Sequence, residues 1–206
     1  MSIEARLQRR LEDLDVLVLP GWKNSGPAHW QTLWEDKFPE WQRVQQANWA
    51  QPQRAAWIAA LDAAVAACRH PVVVVAHSLG CVTLAHWAQR HGARGVAAAL
   101  LVAPADVERQ GVASPLRGFA PLPQATLPFP SLLIASDNDH ACSAGRAAQL
   151  AQDWGSDFHL LQGAGHINAD SGLGEWEEGQ AHFADWLAQA FPVRASRPLR
   201  TLRWVA

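Results

Sequence analysis

The run Pro71-Val72-Val73-Val74-Val75-Ala76-His77-Ser78-Leu79-Gly80 constrains the fold more than any other stretch of this chain. Four consecutive β-branched residues without polar alternation suit a strand covered on both faces, as strands of a parallel sheet are. Helical spacing of apolar residues resumes at once, so the strand must turn into a helix with Ser78 at the corner. A serine at so tight a corner takes a strained backbone conformation, and its neighbours two positions away must be small for strand and helix to pass closely. Ala76 and Gly80 meet that need, in a G-x-S-x-G pattern whose first glycine is alanine. The corner lifts the serine oxygen clear of the sheet and sets a helix N-terminus, with free N–H groups, where an oxyanion would form. A serine that only caps the helix has the same local pattern. The four-valine strand in front of it favours the nucleophile.

The rest of the chain alternates strand and helix patterns. Residues 3–11 fit a short amphipathic helix, and residues 16–19 a buried strand stopped by Pro20-Gly21. The loop Gly21-Trp22-Lys23-Asn24-Ser25-Gly26-Pro27 leads to a helix over 28–37, with Pro27 in its first turn. It lacks the Gly-Lys-Ser/Thr ending of a phosphate loop. Its expected role is to supply a second oxyanion N–H from Trp22 beside that of Leu79, as the first βα loop of such sheets does. Further strands are expected at 41–47, 95–102, 131–135 and 157–162, and helices at 52–69, 78–91, 143–154 and 176–191. Six strands alternating with helices predict a parallel sheet in a three-layer α/β/α sandwich. Residues 104–130 hold six prolines and little periodicity, so they read as an irregular connection without a large cap.

Composition narrows the function classes. With 206 residues, 49% of them hydrophobic, the chain suits one domain over 1–192 and a basic tail over 193–206. The tail carries Arg194, Arg197, Arg200 and Arg203 with no acid; taking these four from a net charge of −2 leaves −6. That balance argues against nucleic acid as a partner. No run of about 18 apolar residues suggests a membrane span. Three cysteines without C-x-x-C spacing point to a reducing compartment, and so to a cytoplasmic protein; a monomer or homodimer is expected.

A serine nucleophile requires a base and an acid. Loops at the carboxyl ends of parallel strands offer them in the chain order Ser78, Asp139, His166, the order associated with this strand-to-helix corner. His166 sits in the glycine-rich run Gly163-Ala164-Gly165-His166-Ile167-Asn168 directly after a strand. For the acid, Asp137 and Asp139 compete and Asp106 is more remote; Asp137 also suits a turn cap. No histidine pair has metal-ligand spacing with an acidic or cysteine companion, so neither metal nor cofactor is expected. Gly21, Trp22, Phe119 and Trp176 are the expected walls of an open site for a short acyl chain or an aromatic leaving group.

Over residues 15–190 the sequence resembles the α/β-hydrolases, and within them the small serine-hydrolase family that includes retinoblastoma-binding protein 9 and YdeN. The resemblance is carried by AHSLGC at the corner, LVAPAD, SDNDHACS and GAGHINADSGLGEW. It implies a six-stranded sheet of order 2-1-3-4-5-6, hydrolysis of simple esters, and Asp139 as the acid, although His140 stands where the family usually has Pro. The leading expectation is thus a metal-free serine hydrolase acting on a small-molecule ester. The alternatives are a non-catalytic binding module on the same scaffold and an acyltransferase using the same acyl-enzyme.

Overall fold

The computed structural model describes residues 1–191. The basic tail expected at 193–206 lies outside the described residues. Six strands form one wholly parallel sheet in the order β2-β1-β3-β4-β5-β6. They are β1 (Asp15–Leu19), β2 (Gln42–Arg43), β3 (Val72–His77), β4 (Val96–Val102), β5 (Ser131–Ser136) and β6 (Asp157–Leu161). Helices α1 (Ile3–Arg10), α2 (Trp30–Lys37) and α6 (Glu177–Ala190) cover one face; α3 (Arg54–Ala67), α4 (Leu79–His91) and α5 (Ala144–Trp154) cover the other. The strand order and layering are those of an α/β-hydrolase.

The valine run acquires its reason from these two layers. Val72 and Val74 join Leu17, Leu19, Ala99 and Leu101 against Trp57, Trp87 and Trp154 on one side. Val73 and Val75 join Val16, Val18, Ala98 and Leu100 against Trp30, Trp34 and Phe183 on the other. Because side chains alternate between faces, a strand with both faces buried must be apolar throughout. Each buried valine contributes about 1.5–3 kcal/mol.

Element boundaries agree with the sequence patterns to within a few residues, with two departures. The strand expected at 41–47 is only Gln42–Arg43. Trp41 and Val44 anchor it in opposite cores, while Arg43 turns aside to Glu35, Asn24 and Ser25. Helix α2 starts at Trp30 rather than 28, which leaves Pro27 outside its first turn; His29 caps it, its Nδ1 accepting the Gln31 N–H at 3.1 Å. The proline-rich connection holds one short 3-10 helix, Ser114–Phe119, and is packed onto the core through Leu116, Phe119, Leu122, Leu127 and Phe129.

Gly80 sets the contact between α4 and the end of β1, since a Cβ there would stand 2.2 Å from the Leu19 carbonyl oxygen. Gly80→Ala is expected to lower stability by about 3 kcal/mol or more, as overpacking against immovable backbone does. Gly145→Ala, on α5, would meet nothing within 4 Å and should gain up to about 1 kcal/mol from helix propensity. Urea unfolding of the two variants checks both signs.

Candidate active site

Ser78 occupies the corner between β3 and α4 with φ 54° and ψ −118°, a conformation that a side chain disfavours. Flanking backbone makes the corner possible. A Cβ on Gly21 would lie 2.7 Å from the Ser78 Cβ and 3.2 Å from the Leu79 nitrogen, so only glycine lets the β1 loop rest against it. The Ser78 N–H donates to the Val102 carbonyl at 3.0 Å, and its carbonyl accepts from Cys81 at 3.1 Å. Among the described residues, neither the Trp22 nor the Leu79 amide donates a hydrogen bond within the protein.

Three side chains from three loops meet here. His166 Nε2 is 2.9 Å from Ser78 Oγ, and His166 Nδ1 is 2.8 Å and 3.0 Å from the two carboxylate oxygens of Asp139. A carboxylate only accepts, so Nδ1 carries the ring proton and Nε2 is left to accept from the serine hydroxyl. The Asp139 side chain is 1% exposed, and Oδ1 also accepts the Ala141 N–H at 2.7 Å. His140, in contrast, is exposed to solvent and only 4.0 Å from Asp139 at its nearest.

The histidine loop is held from below by the run that follows β5. Asp137 Oδ1 accepts the Gly163 N–H at 2.8 Å, Ser136 Oγ the Ala164 N–H at 3.0 Å, and Asn138 Oδ1 the Gly165 N–H at 2.7 Å. Asp137 is therefore a backbone clamp, not a partner of the imidazole. From above, His77 Nε2 donates to the His166 carbonyl at 3.0 Å and Trp30 Nε1 to that of Ile167 at 2.8 Å, while the Ile167 side chain is fully buried. The sequence patterns do not single out Ser136, Asn138 or His77. Their roles depend on which loop lies opposite, and no local pattern carries that.

The His166 ring has two histidine neighbours, the buried His77 and the exposed His140, the latter with its ring centre 5.4 Å away. His77 lies 5.0 Å from His166, ring centre to ring centre, and His29 packs edge-on against His77 at 4.7 Å. Burial holds His77 well below the ordinary imidazole range. Burial, assisted by the charges of Arg43 and His166, brings His29 down to about 4. Both are neutral near pH 7.

A groove of ≈ 250 Å³ opens above Ser78, lined by Gly21, Trp22, Lys23, His29, His166 and Asn168 among others. Two larger cavities, of ≈ 530 and ≈ 600 Å³, lie along α1 and are lined by no serine or cysteine, so the His70–Asp15 pair bordering the first has no nucleophile beside it and the smaller groove is the candidate site. Phe119 and Trp176 do not wall it, which corrects the sequence expectation. Phe119 is fully buried, edge-on to Trp57, in the core beneath α3 and α4. Trp176 is stacked on Trp34 at 5.9 Å and covers Gly179, where a Cβ would come within 2.3 Å of its ring. Large aromatic surfaces gain more from the core than from a solvated rim.

The chain matches the serine hydrolase family over residues 16–185. It belongs to that family. A structure described as a YdeN-like hydrolase, from Pectobacterium atrosepticum, is 35% identical with a TM-score of 0.82, covering 92% of this chain and 99% of that one. The ydeN gene product of B. subtilis is 21% identical with a TM-score of 0.65, covering 86% and 98%. Est1E from Butyrivibrio proteoclasticus, solved with ferulic acid bound, shares the fold at 11% identity and a TM-score of 0.64, covering 85% and 89%. No curated protein sequence matches the chain. No described helix of this serine hydrolase is long and apolar enough to cross a membrane.

The buried histidines give the fold an acid limit. His29 takes up its proton near 6.5 when unfolded and near 4 when folded, so the unfolded chain binds more protons between those values. Its contribution is complete above about pH 6.5 and is lost progressively towards pH 4, amounting to about 3 kcal/mol. His77 acts in the same direction. His29→Asn, which keeps a capping oxygen, should unfold less steeply with acid than the wild type; denaturant titrations from pH 7 to pH 4 measure the difference.

Proposed function

We propose that the protein hydrolyses small acyl esters through an acyl-enzyme on Ser78. The observation that carries this reading is the unbroken chain from Ser78 Oγ through both nitrogens of His166 to the buried Asp139 carboxylate, starting at a strained corner. As Ser78 attacks the acyl carbon, His166 Nε2 takes the hydroxyl proton, and Asp139 stabilises the imidazolium. Charge on the carbonyl oxygen is met by the amides of Trp22 and Leu79, both free of other acceptors among the described residues. Collapse of the tetrahedral adduct returns the proton to the departing alkoxide. Water, deprotonated by the same histidine, then releases the acid and restores Ser78.

The neutrality of His29 and His77 supports this assignment. Cationic neighbours would oppose the imidazolium that must form on His166, whereas neutral rings do not. Ser78→Ala and His166→Ala are each expected to lower esterase kcat by roughly 10⁴-fold or more, as interdependent members do, with folding intact by circular dichroism. Asp139→Asn should lose far more rate than Asp137→Asn, since asparagine at 137 still offers an oxygen to the Gly163 N–H. A fluorophosphonate should label the wild type and not Ser78→Ala; no labelling would favour a binding module.

Substrate size follows from the groove. Its ≈ 250 Å³ falls below the roughly 300–1,000 Å³ of most small-molecule sites, and the 104–130 connection is packed down instead of standing over it as a lid. Esters with acyl chains of about two to four carbons should be the best substrates, with no jump in rate at an emulsion surface. A chain-length series in solution and above the solubility limit tests this; faster turnover of long-chain esters would overturn it.

A further inference from the structure

The groove is lined by one formally charged side chain, Lys23, and by no carboxylate. Its ammonium stands 4.4 Å from the centre of the Trp22 ring, and no acidic oxygen of the described residues lies within 4.0 Å of it. Lys23 is exposed to solvent at the groove rim, where it lies over the Trp22 ring and beside the proposed oxyanion amide of Trp22.

The backbone that presents it is strained and clamped. Lys23 and Asn24 both have left-handed backbones, with φ 69° and 66°, where glycine would be free of strain. The Lys23 N–H donates to the Trp49 carbonyl at 3.0 Å, and Trp22 Nε1 to that of Ala50 at 2.9 Å. Arg43 Nη1 holds Asn24 Oδ1 at 3.1 Å and the Ser25 carbonyl at 2.9 Å. So the turn cannot relax by swinging outward. The Lys23 backbone is held at the groove rim, and its side chain is free to adjust.

A groove-lining cation with no counter-charge within 4.0 Å among the described residues leaves a place for one on the ligand. We propose that the groove selects acyl esters bearing a carboxylate, with Lys23 as the specificity-determining residue that binds it. This rests on the hydrolase reading above. The chemistry is unchanged: Ser78 attacks the ester carbonyl, and the substrate's carboxylate takes no part in bond making.

The test compares 4-nitrophenyl hemisuccinate with 4-nitrophenyl butyrate, whose acyl chains are of equal length and whose leaving groups are identical, so that they differ in a terminal carboxylate. The readout is the ratio of their kcat/KM values, which cancels any partial loss of folded enzyme. Lys23→Met is expected to lower that ratio about tenfold, and Lys23→Arg to keep most of it. Raising salt to about 0.5 M should lower the wild-type ratio and leave that of Lys23→Met nearly unmoved. A ratio in Lys23→Met within about twofold of wild type would overturn the proposal while leaving the hydrolase reading intact. Binding is followed separately in Ser78→Ala, which lacks the nucleophile, by NMR titration with monomethyl succinate, and in the double variant that adds Lys23→Met. If the wild type hydrolyses neither ester but Ser78→Ala binds monomethyl succinate and the double variant does not, the anion site stands and the hydrolase reading falls. If there is neither turnover nor Lys23-dependent binding, both fall.

Discussion

The close passage of three backbone segments at Ser78 is the constraint on which the site depends. Gly80 brings α4 against the end of β1, and Gly21 brings the β1 loop against the corner; in both places a methyl group would overlap neighbouring atoms. Each contact closes off the space into which the serine backbone could relax, so its positive φ is retained. Two buried cores, one on each face of the sheet, supply the packing that offsets this strain. The proposed nucleophile thus sits between closely packed backbone segments.

Position in the sheet explains why the groove lies where it does. From β1 the chain crosses to β2 on one side, whereas β3 on the other side leads on to β4, β5 and β6. The loops leaving β1 and β3 therefore diverge and open a crevice at their carboxyl ends, as strand-order reversals in parallel sheets do. Ser78 stands on one lip, the Gly21 loop forms the other, and the loop after β6 brings His166 across the top. Its reach across two intervening strands is secured by the clamps from Ser136, Asp137 and Asn138.

Electrostatics completes the arrangement. A carboxylate as buried as Asp139 is costly unless its oxygens are satisfied, and here they accept from His166 and the Ala141 amide. The same burial that would penalise a charge keeps His29 and His77 neutral. His77 can then serve as a neutral donor to the His166 carbonyl, orienting the loop without competing for its proton. Lys23, at the rim, is the one group in the groove lining with a permanent charge.

Much of this was legible in one dimension because it is local chemistry. The valine run, the small residues around Ser78, the glycines before His166 and the alternation of strand and helix patterns are short-range requirements of the backbone, and they point to the layered fold. The order of proposed nucleophile, acid and base along the chain was legible for the same reason, since each follows a strand at its carboxyl end. What required tertiary structure was every choice between chemically similar residues. Asp137 and Asp139 are two positions apart on one turn, and they differ only in which way the turn faces: one meets an amide, the other an imidazole. Trp22 and Trp176 are both loop tryptophans, yet one borders the groove and the other is covered by α6. Such choices are decided by elements distant in the chain that come to lie opposite, and burial and hydrogen-bond partnership exist only once those elements have packed.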